Sequence, residues 1–227
     1  MARSKTTKKL SKKQRLAEKN KAARMKQLRI VGFVLLGLAV FAGIFFWRSA
    51  GQSADAEFRA ELPPNLDGPA DAPVKIVEYG DFGCPSCRGW HNAGIGEQLK
   101  AQFGDQISFE FRHFPVITAQ SPKAAEAGQC AAEQGAFWAY HDYVYEETPQ
   151  NALSNDQLKS YAAAIDLDQA QFDACLDSGK YAPAVRADWD AAREAGARGT
   201  PTFMINGRRV TPFYEDMAAA IEAELSN

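Results

Sequence analysis

The most constraining feature of this chain is a pair of cysteines two residues apart, in the segment Cys84-Pro85-Ser86-Cys87. The segment follows an apolar run at residues 74–79, typical of a buried strand, and a turn at residues 80–83. A helix is predicted to begin near Cys84. Unpaired backbone N–H groups and the dipole at a helix N-terminus stabilise a thiolate there, while Cys87 is expected to be more buried one turn further along. The pattern predicts a strand, a turn and a helix that present a dithiol.

The two motif cysteines favour redox chemistry over two other interpretations of such a pair. A thiolate stabilised at Cys84 is a good leaving group, which makes a disulfide to Cys87 more oxidising. A purely structural disulfide and half of a zinc site are the alternatives. Zinc would need a second close pair, whereas Cys130 and Cys175 stand alone at long separations. We therefore expect a redox-active disulfide, with no metal and no separate cofactor.

Charge is divided unequally along the chain. Residues 1–29 hold twelve lysines and arginines against one acid, Glu18, so this segment carries +11; because the whole chain carries −2, the remainder carries −13. Eighteen uncharged residues follow, from Ile30 to Trp47. At about 1.5 Å per residue they span roughly 27 Å, enough for the hydrocarbon core of a membrane. Basic residues on one side of a span stay in the cytoplasm, so the acidic remainder is expected outside.

An uncleaved membrane anchor is the interpretation that we adopt for the apolar run. A cleaved signal peptide is one alternative, because Ala54-Asp55-Ala56 offers a loose small-x-small cleavage pattern. A buried core helix is another. The basic tail could contact RNA or lipid phosphates, but such flanks usually only orient a first membrane helix, so no nucleic-acid partner is expected.

Four segments are predicted along the chain. A basic cytoplasmic tail (1–29) and a transmembrane anchor (30–47) precede a small, polar, proline-punctuated linker (48–72). One domain is predicted at 73–227, with a helical block from about 121 to 195.

Capping and turn signals place elements within the domain. Ser121-Pro122 predicts an N-cap followed by proline at the first helical position, and Ser154 with Gln157 predicts a capping box. Asn206-Gly207 predicts a two-residue hairpin turn. The predicted order is β-α-β, a helical block, then β-β-α.

Two positions outside the motif are also candidates for the site. Pro201 directly precedes a predicted strand, and because proline cannot donate to a strand ladder, a tight turn, with a cis bond as one form, is expected. Glu78 is a single acid inside the apolar strand before the motif. Buried there, its carboxyl would have a raised pKa and could exchange a proton with Cys87. The alternative is a glutamate that faces water from an edge strand.

These features together resemble the DsbA-like branch of the thioredoxin superfamily. The resemblance depends on the segment from Glu78 to Cys87, on Thr200-Pro201 and on the interrupted β-α-β/β-β-α order, and it covers about residues 73–225. It implies an α/β thioredoxin-like fold with an all-helical insertion, preceded here by one N-terminal transmembrane helix.

The resemblance also implies roles for the matching residues. Cys84 would be the nucleophile and Cys87 the resolving cysteine, with the cis-proline facing their disulfide and a substrate segment held by the backbone before it. The implied catalytic residues are Cys84, Cys87, Glu78 and Pro201, and the implied substrate-binding residues are Thr200, Pro85 and Ser86. The best-known members carry histidine in place of Ser86. A neutral hydroxyl supplies no positive charge, so the disulfide is expected to be less oxidising.

The implied activity is that of a thiol:disulfide oxidoreductase of the bacterial cell membrane, single-pass, with its catalytic domain outside the cytoplasm. It would introduce disulfides into unfolded or maturing secreted or envelope proteins, and a quinone-linked membrane partner would reoxidise it. A disulfide isomerase or reductase of the same fold would share these residues. A metal chaperone or binding module is the alternative from another class.

Two further cysteines and three histidines were not absorbed by this scheme. Cys130 and Cys175 are predicted to form a structural disulfide, because an oxidising compartment favours pairing; two separate buried thiols are the alternative. His91 lies seven residues after the first motif cysteine and is interpreted as a packing or solvent-facing residue, although it could tune the thiolate. His113 and His141 are interpreted as structural.

Overall fold

The computed structural model describes residues 12–62 and 64–226, and the first eleven residues of the predicted basic tail lie outside this part. The chain divides into two units, one ending at Gly51 and the other beginning at Gln52. A single helix, α1 (Lys12–Ala60), contains the predicted anchor. Within it, Leu35–Ala60 is long and apolar enough to cross a membrane, by length and composition.

The segment predicted as a linker, residues 48–72, is helical over its first half. Helix α1 continues to Ala60, and a short strand, β1 (Asn65–Asp67), follows it. The segment 49–60 contains no proline and has four alanines, which favour a helix and offset the unfavourable Gly51. Its end also gains tertiary contacts, because Phe58 and Leu62 pack against the core of the second unit.

Four further strands join β1 in one five-stranded sheet. These are β2 (Val74–Gly80), β3 (Ile107–His113), β4 (Thr202–Ile205) and β5 (Arg208–Val210), in the order β1-β3-β2-β4-β5. Strand β2 pairs in parallel with β3 and antiparallel with β4, so it is central. The β4–β5 hairpin turns at Asn206 and Gly207, whose φ angles are 44° and 79°, as the sequence predicts.

Helices cover both faces of the sheet. On one face, α3 (Ile95–Phe103) and α9 (Tyr214–Leu225) pack Leu99 and Met217 against alternate residues of the strands, such as Ile76. The opposite face contributes Tyr79 and Met204 to a smaller cluster with residues of the insertion.

The insertion between β3 and β4 consists of five helices that lie within the interval predicted to be helical. They are α4 (Ser121–Glu133), α5 (Phe137–Glu146), α6 (Asn155–Ala164), α7 (Gln169–Ser178) and α8 (Ala182–Glu194). The capping box of Ser154 with Gln157 is confirmed. The N-cap predicted at Ser121 is wrong by one residue: Gln120 occupies that position, and the Ser121 hydroxyl bonds Thr118 instead.

Candidate active site

The first motif cysteine begins the helix that carries the motif. Cys84 is the N-cap of α2 (Pro85–Asn92), with extended backbone angles of φ −85° and ψ 117°. The backbone N–H of Cys87 donates to Sγ of Cys84 at 3.4 Å. Helix α2 ends before Gly94, whose φ of 66° favours glycine and redirects the chain into α3. The predicted strand, turn and helix around the motif are therefore present.

Hydrogen bonds at the helix N-terminus make Cys84 the more acidic thiol. Its pKa is lowered to about 6, chiefly by a hydrogen bond from the Cys87 thiol and also by backbone N–H groups of Ser86 and Cys87, while burial opposes the shift. When protonated, the Cys84 thiol donates to the carbonyl oxygen of Thr200 at 3.2 Å. Both cysteines are free.

The pKa of the second cysteine is shifted in the opposite direction. Cys87 is fully buried, and burial raises its pKa well above the ordinary value. Its hydrogen bond to Cys84 and the negative charge of Glu78 raise it further. At neutral pH the pair therefore holds a thiolate at Cys84 and a thiol at Cys87.

Glu78 lies beneath the pair on the central strand. It is 5% exposed, and its backbone register places it opposite Phe111 on β3 and Phe203 on β4. Burial, followed by the charge of Cys84, raises its pKa to about 8, and its Oε1 has no hydrogen-bond partner among the described residues. The predicted burial and raised pKa are confirmed, whereas the alternative of a solvent-facing edge-strand glutamate is wrong because β2 has a neighbour on each side.

The loop before β4 faces the motif. The bond between Thr200 and Pro201 is cis, the form that the sequence analysis allowed. The carbonyl of Thr200 contacts Cys84, as described above, while Pro85 and Ser86 are exposed next to it. The residues that the sequence analysis assigned to substrate binding therefore lie next to Cys84.

Asp81, which the sequence analysis did not single out, holds the turn before the motif. Its carboxylate is buried and accepts backbone N–H groups from Gly83, Val116 and Ile117, each at 2.8 Å. Its carbonyl accepts the N–H of Cys84 at 2.9 Å. The bond from Gly83 forms a local turn in which aspartate is favoured, so the residue type could have indicated it. No local signal in the sequence indicates the bonds from Val116 and Ile117.

Arg88 was also missed, and it fixes α2 against the insertion. Its guanidinium donates to the carbonyl oxygens of Val144, Tyr145 and Thr148 at 2.7–2.9 Å, at the C-terminal end of α5. A cation is favourable at that end of a helix because the last carbonyl groups lack partners within it. The contacts join residues more than fifty positions apart, and no local pattern indicates them.

The remaining cysteines, His113 and His91 make contacts that do not involve the motif thiols. Cys130 on α4 and Cys175 on α7 form a disulfide, as predicted. His113 is buried and bonded to Gln129, and burial lowers its pKa to about 3, so it is neutral. His91 contacts Glu146 of α5 at 2.9 Å and makes no bond to the thiolate.

Comparison with known proteins identifies the family. A family model described as thioredoxin matches residues 64–223, which is more than two thirds of the chain. The chain belongs to the thioredoxin family. A relative in Bacillus anthracis, named probable disulfide bond formation protein D, is 33% identical to this family member over 169 residues, covering 70% of this chain and 76% of that protein.

Solved structures place this thioredoxin family member in the DsbA-like branch. Oxidised BdbD from Bacillus subtilis superimposes with a TM-score of 0.67 at 26% identity, covering 72% of this chain and 94% of BdbD. The α-DsbA1 protein of Wolbachia pipientis shares the fold, with a TM-score of 0.59 at 22% identity and coverage of 74% and 93%. The predicted thioredoxin-like fold and DsbA-like resemblance are confirmed.

A different group of relatives contains a matching segment within longer chains. The Na(+)/H(+) antiporter NhaA of Herminiimonas arsenicoxydans is 38% identical over 196 residues, which cover 83% of this chain but 31% of the antiporter. Two antiporters of Salinispora species match over 24% of their length. The chain thus spans about a quarter to a third of these relatives, and the match concerns only that part of them.

Proposed function

We propose that this chain is a membrane-anchored thiol:disulfide oxidoreductase that acts outside the cytoplasm and introduces disulfides into secreted or envelope proteins. One observation carries the proposal: at the start of α2 the pKa of Cys84 is lowered to about 6, while burial raises that of Cys87. The name of the Bacillus anthracis relative, disulfide bond formation protein D, supports the same chemistry. No bound cofactor is needed, because the cysteine pair itself accepts the electrons.

The first step opens the enzyme's disulfide. A substrate thiolate attacks Sγ of Cys84, a new S–S bond joins substrate to enzyme, and the electron pair of the old bond goes to the sulfur of Cys87. Because the pKa of Cys87 is raised, this sulfur takes up a proton. Glu78, with a pKa of about 8, is protonated at neutral pH and is the buried acid that we propose as the donor.

The second step releases the product. Another substrate thiolate attacks the substrate sulfur of the mixed disulfide, and Cys84 leaves as a thiolate, which its low pKa favours. Two substrate thiols have then become a disulfide, and both motif cysteines are reduced. We propose that Thr200, Pro201, Pro85 and Ser86 contact the substrate during both steps. A membrane protein that passes two electrons to quinone would restore the oxidised pair.

The direction of exchange is tested by mixing the oxidised chain with a reduced test protein. We expect disulfides to form in the test protein and alkylation of the reduced enzyme to show a transition near pH 6, set by Cys84. Ser86→His should make the cysteine pair more oxidising. Its reduction potential should rise by about 30 mV for each unit by which the histidine lowers the pKa of Cys84. A potential near that of thioredoxin, about −270 mV, with test proteins left reduced, would make the chain a reductase.

The proton donor is tested separately. Glu78→Gln should slow the opening of the disulfide, since the leaving sulfur of Cys87 loses its buried acid. Stopped-flow rates for the wild type and the variant between pH 5 and 8 measure this effect. Identical rates across that range would leave Glu78 with a purely structural role.

Location is tested with a reporter. The +11 charge of residues 1–29 predicts that they stay in the cytoplasm and that the domain lies outside. An enzyme that is active only outside the cytoplasm, fused after Asn227, should therefore be active. A fused reporter that works only in the cytoplasm should be inactive, and the opposite pair of results would contradict the proposed compartment.

A further inference from the structure

Helices α2 and α5 bring together two imidazoles and two carboxylates on the side of α2 away from its N-cap. His91 lies on α2, while His141, Asp142 and Glu146 lie on α5. Asp142 and Glu146 are four residues apart and so share one face of their helix. None of the four belongs to the thiol chemistry proposed above.

The potential ligand atoms lie at the separations that a small cation requires. One atom each of His91, His141 and Asp142 falls within 4.8 Å of the others. Nε2 of His91 is 2.9 Å from Oε1 of Glu146 and 3.9 Å from Oδ1 of Asp142, and Nδ1 of His141 is 2.8 Å from the same Oδ1. Tetrahedral zinc with ligands at about 2.0–2.1 Å holds neighbouring ligand atoms about 3.3 Å apart, within this range.

The donor set selects among metals. Imidazole nitrogens suit zinc and other transition metals, whereas calcium and magnesium prefer oxygen alone. Imidazole binds a metal in its neutral form, so two imidazole ligands and two carboxylates would balance a charge of +2. His141 is 2% exposed, so packing holds its ring in place.

The surroundings give one buried ligand and an open approach. Nε2 of His141 has no hydrogen-bond partner among the described residues, so the polar contact of this buried ring is the one at Nδ1, on the side of Asp142. A surface cavity of about 580 Å³ is lined by His91, Asp142 and Glu146 together with Trp90. A hydrated cation can therefore reach the exposed ligands before the buried one.

We propose that His91, His141, Asp142 and Glu146 form a binding site for a divalent transition metal of the zinc type, separate from the cysteine pair. Bound metal would join α2 to α5 at a point one turn beyond Cys87. It would stabilise the contact between the motif helix and the insertion, in addition to the hydrogen bonds of Arg88.

The test uses the full chain with Cys84→Ser and Cys87→Ser, so that no motif thiol can bind metal. Titration with Zn²⁺ by calorimetry should show one equivalent bound per chain. Co²⁺ should give the visible absorption of a tetrahedral nitrogen and oxygen site without a thiolate charge-transfer band. Ca²⁺ at the same concentration should not bind at this site, and saturating Zn²⁺ should raise the midpoint of thermal unfolding.

Ligand variants decide the assignment. His91→Ala and Glu146→Gln should each weaken Zn²⁺ binding at least about tenfold. Glu147→Gln is the matched control, because it removes a neighbouring exposed carboxylate of the same charge and should leave binding unchanged. Both ligand variants alter side chains with partial exposure, so folding should be preserved, and circular dichroism checks it.

Three outcomes would overturn the site. The first is an absence of Zn²⁺ binding by the serine variant while the wild type binds through its thiols. The second is equal affinity in His91→Ala, Glu146→Gln and the parent. The third is an equal loss in Glu147→Gln, which would show general attraction to negative charge.

Discussion

Glu78 and Cys84 have opposite pKa shifts because the carboxyl is buried, with no partner for its Oε1 among the described residues, while the thiolate accepts several hydrogen bonds. Burial raises the pKa of the carboxyl to about 8, and hydrogen bonds lower that of the thiol to about 6. Between these values the proton resides on the carboxyl and the negative charge on sulfur. Between about pH 6 and pH 8 the site therefore contains a protonated Glu78 and a Cys84 thiolate together.

The raised pKa of Glu78 predicts a pH dependence of stability. The unfolded carboxyl loses its proton near pH 4.5 and the folded one near pH 8, so the folded state binds more protons between them and loses stability as pH rises. At about 1.4 kcal/mol per pH unit, the reduced wild type should lose up to about 4 kcal/mol relative to Glu78→Gln from pH 5 to 8. Urea unfolding at both pH values measures the difference.

The control for this prediction is Glu215→Gln, which removes an exposed carboxylate from the first turn of α9. Its stability should follow that of the wild type at both pH values. If Glu78→Gln also runs parallel to the wild type, the carboxyl is not held protonated by the fold.

At the scale of elements, α2 is fixed at two points. Its N-terminus is capped by Cys84, and Arg88 joins its first turn to the C-terminal end of α5. A second link lies inside the insertion, where the Cys130–Cys175 disulfide connects α4 with α7. The motif helix therefore takes its position from the insertion as well as from the sheet.

Loss of the α2–α5 link should be costly. Arg88→Ala would remove the guanidinium donor from the carbonyl oxygens of Val144, Tyr145 and Thr148, and we expect a loss of about 2–4 kcal/mol in the free energy of unfolding. Arg88→Lys should recover only part of it, since an ammonium cannot reproduce the planar fork. Arg209→Ala, at an exposed position of β5, is the control and should be nearly neutral. Equal stabilities for Arg88→Ala and the control would show the link to be dispensable.

The structural disulfide should contribute through its long loop. Cys130 and Cys175 are 45 residues apart, and the chain-entropy model assigns about 4 kcal/mol to a loop of this length. The double change to alanine should lower the free energy of unfolding by about that amount, with the thiol chemistry of the motif retained. Denaturant titration measures this loss. The comparison is Cys84→Ser/Cys87→Ser under reducing conditions, in which the Cys130–Cys175 disulfide is opened while its cysteines are kept. A loss below about 1 kcal/mol would contradict the entropic account.

At the scale of the whole molecule, residues 52–72 of the predicted linker are part of the second unit. Arg59 of α1 is buried and donates to Asp188 of α8 at 2.9 Å, while the other oxygen of that carboxylate accepts the N–H of His113. One buried carboxylate thereby joins the end of α1, the insertion and the sheet.

Breaking this ion pair should be strongly destabilising. Arg59→Ala would leave the 1% exposed Asp188 without its cation, and removing one partner of a buried pair costs about 3–5 kcal/mol. Thermal and urea unfolding of the full chain measure the loss. Arg198→Ala, which removes an exposed arginine, should change little. A small effect of Arg59→Ala would mean that the end of α1 contributes little to the fold.

The sequence by itself determined the features that depend on neighbouring residues. The helix start at the cysteine motif, the Asn206-Gly207 turn and the proline before β4 were all predicted, because capping, positive φ and a missing N–H act over a few positions. The single acid in an apolar strand also indicated a buried Glu78 correctly. The family resemblance then supplied the arrangement of these parts.

Only the tertiary structure decided what distant residues do together. Continuation of α1 into the predicted linker, the bonds of Asp81 to Val116 and Ile117, and the anchoring by Arg88 all depend on partners between about 35 and 130 positions away. The same is true of His91, whose neighbours on α5 follow from the packing of two helices. Local patterns report backbone preference and burial, whereas the identity of a long-range partner is fixed only when the chain folds and polar groups removed from water must find one another.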